Sequence, residues 1–77
     1  MNLRRLVGRN VRRIRIEKGL TQEDLADRAE VSQHYVSVLE NGRRNPTIET
    51  IGVLAKALGV DHLALLQPDG ESAAMDD

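Results

Sequence analysis

Leu3, Leu6, Val7, Val11 and Ile14 recur at helical spacing along the start of the chain, and the arginines between them fall on the other faces. That stripe predicts an amphipathic first helix ending at Lys18, where Gly19 supplies a stop. Thr21, with Asp24 three positions on, can cap a second helix whose inward residues are Leu25, Ala26 and Ala29. Val31-Ser32 interrupts it. Ser32 can cap a third helix from Gln33 towards Asn41, with Val36 and Leu39 inward and Gly42 as its end. After the loop Arg43-Arg44-Asn45-Pro46, Thr47 caps a fourth helix with Ile48, Ile51, Leu54, Ala55 and Leu58 inward, ended by Gly59. A fifth short helix can begin at Asp61 and use Leu63 and Leu66. No strand pattern and no internal repeat occur. The expectation is an all-α, compact five-helix bundle over residues 1–67, followed by a flexible acidic tail, 68–77, with too little apolar surface to offset its ordering entropy.

At 77 residues the chain is one domain, and with Tyr35 its only aromatic residue the core must be aliphatic. There is no cysteine, which removes disulfides, thiolate nucleophiles and Cys-containing zinc sites and suits a reducing cytoplasm. Neither a membrane-spanning run nor a signal-peptide core can be placed. The formal charge of −1 argues against a nucleic-acid partner until its distribution is read. Residues 1–18 carry seven bases against one acid, residues 19–42 one base against five acids, and the segment from Asp69 four acids and no base. A chain with little net charge can still present one basic face to phosphates.

The informative unit is Thr21 to Gly42: two short helices with caps eleven residues apart and a tight turn between them, the dimensions of a helix-turn-helix. The stretch GLTQEDLADRAEVSQHYVSVLENGRRNPT resembles the Xre/Cro-like (lambda-repressor-like) helix-turn-helix DNA-binding family. The likeness extends over roughly residues 4 to 66. It rests on Gly19-Leu20-Thr21-Gln22, Leu25-Ala26, Val31-Ser32, Leu39-Glu40-Asn41-Gly42 and Pro46-Thr47. One position departs from the pattern: Glu30 stands in the turn where glycine is common, so either the turn avoids a positive φ or Glu30 carries strain.

The resemblance implies a DNA-binding regulator whose third helix enters the major groove. On that reading Gln33 is the leading base reader, because a glutamine can bond adenine N6 and N7 bidentately, and Ser32, His34 and Ser37 join or flank it. Thr21 and Gln22 at the start of the second helix, Asn41, Arg43 and Arg44 after the third, Arg12 on the first, and Tyr35 are the expected phosphate-side contacts. The bland alternatives are a solvated polar face and a basic solubilising loop. Arg15 and Glu40 match a structural ion pair of the family, tying the first helix to the third. His34 as a metal ligand is set aside, since His62 is its only histidine partner and lies twenty-eight residues away.

One recognition helix reads about one half-site, so a homodimer on a palindromic double-stranded DNA operator is expected. Val60, His62, Leu65 and Leu66 are the expected interface, with Leu65 exposed in the monomer; the alternative is that Leu65 closes the core. No cofactor, metal, membrane or small-molecule ligand is expected, and the place of action is the cytoplasm of a prokaryote or the host of a phage. Compact members of the family include phage repressors, restriction-modification controllers and antitoxins, among which the sequence does not choose. The competing reading is a helical protein-protein interaction module with weak or non-specific DNA binding. An enzyme is disfavoured, for want of a paired carboxylate in an apolar cleft or a glycine-rich phosphate loop.

Overall fold

The computed structural model describes residues 2–68, and the expected acidic tail lies, from residue 69 on, outside the described residues. Four α-helices follow one another: α1 Leu3–Glu17, α2 Gln22–Ala29, α3 Gln33–Glu40 and α4 Ile48–Leu58. Each begins at a side chain that accepts an orphan backbone N–H. Asn2 serves α1, Thr21 α2, Ser32 α3 and Thr47 α4. At α2 the arrangement is a full capping box, Asp24 N–H to Thr21 Oγ1 at 3.0 Å and Thr21 N–H to Asp24 Oδ2 at 2.9 Å. Because Thr21 donates backbone and hydroxyl hydrogen bonds to it and Arg28 stands nearby, the Asp24 carboxyl titrates below its ordinary range.

The expected fifth helix is corrected to a single 3-10 turn, His62–Leu65. Asp61 accepts the Leu63 N–H at 2.8 Å, and the Asn10 side-chain amide donates to the carbonyls of Leu65 and Gln67, both at 2.9 Å. Asn10 is fully buried, so both bonds replace water it has lost, and its Oδ1 accepts from Arg13 Nη2 at 3.3 Å. They draw the turn onto α1 and seat Leu65 in the core at 0% exposure. The expectation that Leu65 is exposed is thereby corrected. The core joins Val7, Val11 and Ile14 of α1 to Leu25, Ala26, Ala29, Val36, Leu39, Leu54, Ala55 and Leu58. Two further inward assignments fail: Leu3 is 56% exposed and Ile48 85%, each at the first position of its helix, beyond the reach of the neighbouring element.

Candidate nucleic-acid interface

The helix-turn-helix is α2 and α3 packed directly together, with Ala26 and Val36 both buried. The turn between them passes through Glu30 at φ 58 and ψ 43, a left-handed conformation held by a hydrogen bond from the Val31 N–H to the Ala26 carbonyl at 3.0 Å. Glu30 is the one non-glycine residue with positive φ among the described residues. Of the two alternatives open from the sequence, the turn therefore takes the strained one.

Burial of Val36 and Leu39 on one side of α3 leaves its other side outward. Ser32, Gln33 and His34 are exposed at the N-terminal end, Ser37 is half-buried one turn on, and Asn41 is exposed at the far end. Gln33, Ser37 and Asn41 thus form one row at four-residue spacing. Ser32 has spent one lone pair on the Tyr35 N–H at 3.0 Å, and the Asn41 amide folds back to donate to the Ser37 carbonyl at 3.0 Å. Gln33 and His34 project from the first turn.

The flanks of this row differ. Glu40, at the last position of α3, has a side chain only 3% exposed. Arg15 of α1 donates to it through Nε at 2.6 Å and Nη2 at 3.1 Å, and sends Nη1 to the Leu20 carbonyl at 2.8 Å. Gln22 also donates through Nε2 to Glu40 Oε1, at 3.1 Å. A carboxylate can only accept, so this bond fixes which way the Gln22 amide points and leaves its second N–H for a phosphate. The first turn of α2 also carries Glu23 and Asp24, and the Thr21 and Asp24 N–H groups are already occupied by the capping box, so the Gln22 amide is the side-chain donor this end offers to an anion. Beyond α3, Arg43 and Arg44 are exposed on the loop, and the Arg44 guanidinium carbon stands over the Tyr35 ring, 5.5 Å from its centroid. Arg12 is exposed on α1 with no hydrogen bond or ion pair joining it to this group among the described residues.

Two residues that position the site escaped the sequence reading. Gly8, in the interior of α1, is buried where a side chain would overlap the Leu39 carbonyl oxygen and come within 3.0 Å of that of Glu40. Its absent side chain lets α1 lie directly on the C-terminal end of α3. Asn10, described above, ties the 3-10 turn to α1. The signals were present: a glycine within a helical pattern, and a polar residue in the same inward row as Leu6 and Ile14.

A family model described as Helix-turn-helix matches residues 11–65. The HTH-type transcriptional regulator y4dJ of Sinorhizobium fredii (strain NBRC 101917 / NGR234), itself uncharacterized, is 54% identical over 72 residues, covering 94% of this chain and 94% of its own length. Among solved structures, the hypothetical transcription factor NHTF from Neisseria matches with a TM-score of 0.84 at 37% identity, over 95% of this chain and 84% of that one. The restriction-modification controller protein C.Esp1396I, solved as a tetramer in complex with its natural 35 base-pair operator, matches with a TM-score of 0.78 at 35% identity, over 84% of this chain and 86% of that one. With a capped helix pair whose second member turns a polar row outward, and with these likenesses over nearly its whole length, the chain belongs to the Xre/Cro-like helix-turn-helix family.

Proposed function

We propose that this chain is a sequence-specific double-stranded DNA-binding transcriptional regulator, a repressor that covers its promoter and binds a palindromic operator as a homodimer. The observation that carries the reading is the outward side of α3. Its polar residues Gln33, His34 and Ser37 face away from the core, and the exposed Arg43 and Arg44 follow directly behind it. Gln33, with His34, Ser37 and Ser32 beside it, reads base edges in the major groove. Gln22, Asn41, Arg43, Arg44 and Arg12 lie on the phosphate side, where a permanent charge or an amide N–H holds the strand without reading sequence, with Thr21 at the start of the same helix as Gln22 and Tyr35 on that side beneath Arg44. The Arg15–Glu40 pair is structural. Regulation through DNA is what the names of the relatives state of them, and C.Esp1396I occupies its operator as a tetramer.

The dimer surface is the C-terminal turn without Leu65. Leu63 at 55% and Leu66 at 37% exposure, with His62 exposed and Val60 half-buried, present more apolar surface than the monomer covers. Selection of bound duplexes from a randomised pool at near-physiological salt tests the reading. An inverted repeat with half-sites about one helical turn apart is the expected product. Binding that salt abolishes and that enriches no sequence would replace it with a basic interaction module.

A further inference from the structure

Arg44 is an exposed side chain on a loop without regular structure, a place where an arginine ordinarily samples many rotamers. Here it has a fixed neighbour. Tyr35 lies in the first turn of α3, its backbone N–H held by Ser32 Oγ at 3.0 Å, and its ring packs against the buried core. The guanidinium carbon stands over that ring at 5.5 Å, within the range in which a cation is attracted by an aromatic face. The backbone that carries Arg44 is tied to α3 as well. Gly42 turns the chain at φ 75, its added Cβ would press on Arg5, and the Arg43 N–H donates to the Val38 carbonyl at 2.9 Å. A loop cation is thus pinned beside the helical turn that carries Gln33 and His34. The face of the ring is directed at the guanidinium, which ties the tyrosine to Arg44 through its π-surface.

We propose that Tyr35 is the positioning residue for Arg44: the ring, and not the hydroxyl, holds the guanidinium beside the first turn of α3 so that it meets the DNA strand already ordered. Tyr35 then acts on DNA through Arg44. The proposal rests on the DNA-binding reading above and adds to it a coupling between the recognition helix and the following loop. Pre-ordering matters because a rotamer-rich side chain immobilised on binding subtracts from affinity, and a stack formed beforehand removes that loss.

The test uses the full chain, two readouts and three variants, Tyr35→Phe, Tyr35→Leu and Arg44→Ala, with the double variant Tyr35→Leu/Arg44→Ala. In the free protein, NMR is expected to show the Arg44 δ-protons displaced upfield by the ring in the unaltered chain and in Tyr35→Phe, and returned to ordinary values in Tyr35→Leu. Ordinary values in the unaltered chain would overturn the proposal without any mutation. The second readout is affinity for the duplex enriched from the randomised pool. Tyr35→Phe should bind within about twofold of the unaltered chain, and Tyr35→Leu about two- to fivefold more weakly, the span of an exposed cation–π contact. Arg44→Ala should lose more and lower the salt slope by about one. In the Arg44→Ala background, Tyr35→Leu should change nothing further. A Tyr35→Phe loss equal to that of Tyr35→Leu, or an undiminished Tyr35→Leu effect without Arg44, overturns it. If the unaltered chain enriches no duplex, the DNA-binding reading itself fails and takes this proposal with it, a result distinct from a failed coupling on a bound duplex.

Discussion

At its C-terminal end α3 is gripped from two directions: α1 lies on its backbone through Gly8, and Arg15 and Gln22 both bond to Glu40. At its N-terminal end a single cap, Ser32, satisfies the first turn, and Gln33 and His34 project outward. The same eight-residue helix therefore has one end that belongs to the fold and one that is available to a partner. The buried end fixes the angle at which the open end is presented. Even the bond between Gln22 and Glu40 follows this division, since the fold takes one N–H of the amide and leaves the other outward.

Breaking the gripped end should have the largest effect. Gly8→Val places a branched side chain where the Leu39 carbonyl oxygen stands, and the overlap is with backbone that cannot rotate away. We expect a loss of about 3 kcal/mol in chemical denaturation, since overpacking is costly when the neighbour is rigid. The better helix propensity of the new residue recovers only a few tenths of that. Next comes Glu40→Ala, which strands the largely buried Arg15 guanidinium and frees the Gln22 amide. It should cost about 3 kcal/mol or somewhat less, because Arg15 keeps its bond to the Leu20 carbonyl. Stability after Glu40→Ala equal to that of the unaltered chain would mean that the pair is an ornament of the surface.

The open end should respond in the opposite way. Gln33→Ala should leave the unfolding free energy within about 0.5 kcal/mol of that of the unaltered chain, as for other exposed polar positions. On DNA it should lower discrimination at one or two base pairs by about 1–3 kcal/mol while sparing non-specific binding. Arg43→Ala should also fold normally, yet weaken binding to every sequence and reduce the salt slope by about one. Competition titrations against single-base-pair variants of the enriched duplex separate the two. A uniform loss from Gln33→Ala would move base reading elsewhere on α3.

The sequence was most legible where a local rule acts alone. Thr21, Ser32 and Thr47 each cap a helix at the expected place, and the inward sets of α2 and α3 follow from period and burial. Ile48 and Leu3 misled because a hydrophobic stripe does not say where the neighbouring element ends. Leu65 misled for a different reason. Its burial depends on Asn10, fifty-five residues away, whose amide holds the Leu65 carbonyl. No periodicity records such a contact. The candidate base readers rest on spacing and resemblance, whereas the stacking of Arg44 on Tyr35 and the turning of Gln22 towards Glu40 arise from tertiary contacts that no local pattern encodes.

The smallest expected effect concerns the turn that leads into the open end. α1, α3 and α4 are each followed by a glycine with φ near the left-handed optimum, 73° at Gly19, 75° at Gly42 and 73° at Gly59, and at α2 the same role falls to Glu30 at 58°. The backbone closes identically in all four cases: the residue after the left-handed position donates to a carbonyl five residues back, Leu20 to Arg15, Val31 to Ala26, Arg43 to Val38 and Val60 to Ala55. Only the Cβ of Glu30 meets the steric penalty of that conformation, about 1–2 kcal/mol. Glu30→Gly removes it and adds back part of the difference through a more flexible unfolded chain. The net expectation is a gain of about 0.5–1 kcal/mol in chemical denaturation, with the Gln33-dependent discrimination unchanged. A gain accompanied by lost discrimination would show that the strained turn sets the presentation of α3, and the separation between its gripped and open ends would then have to include residue 30.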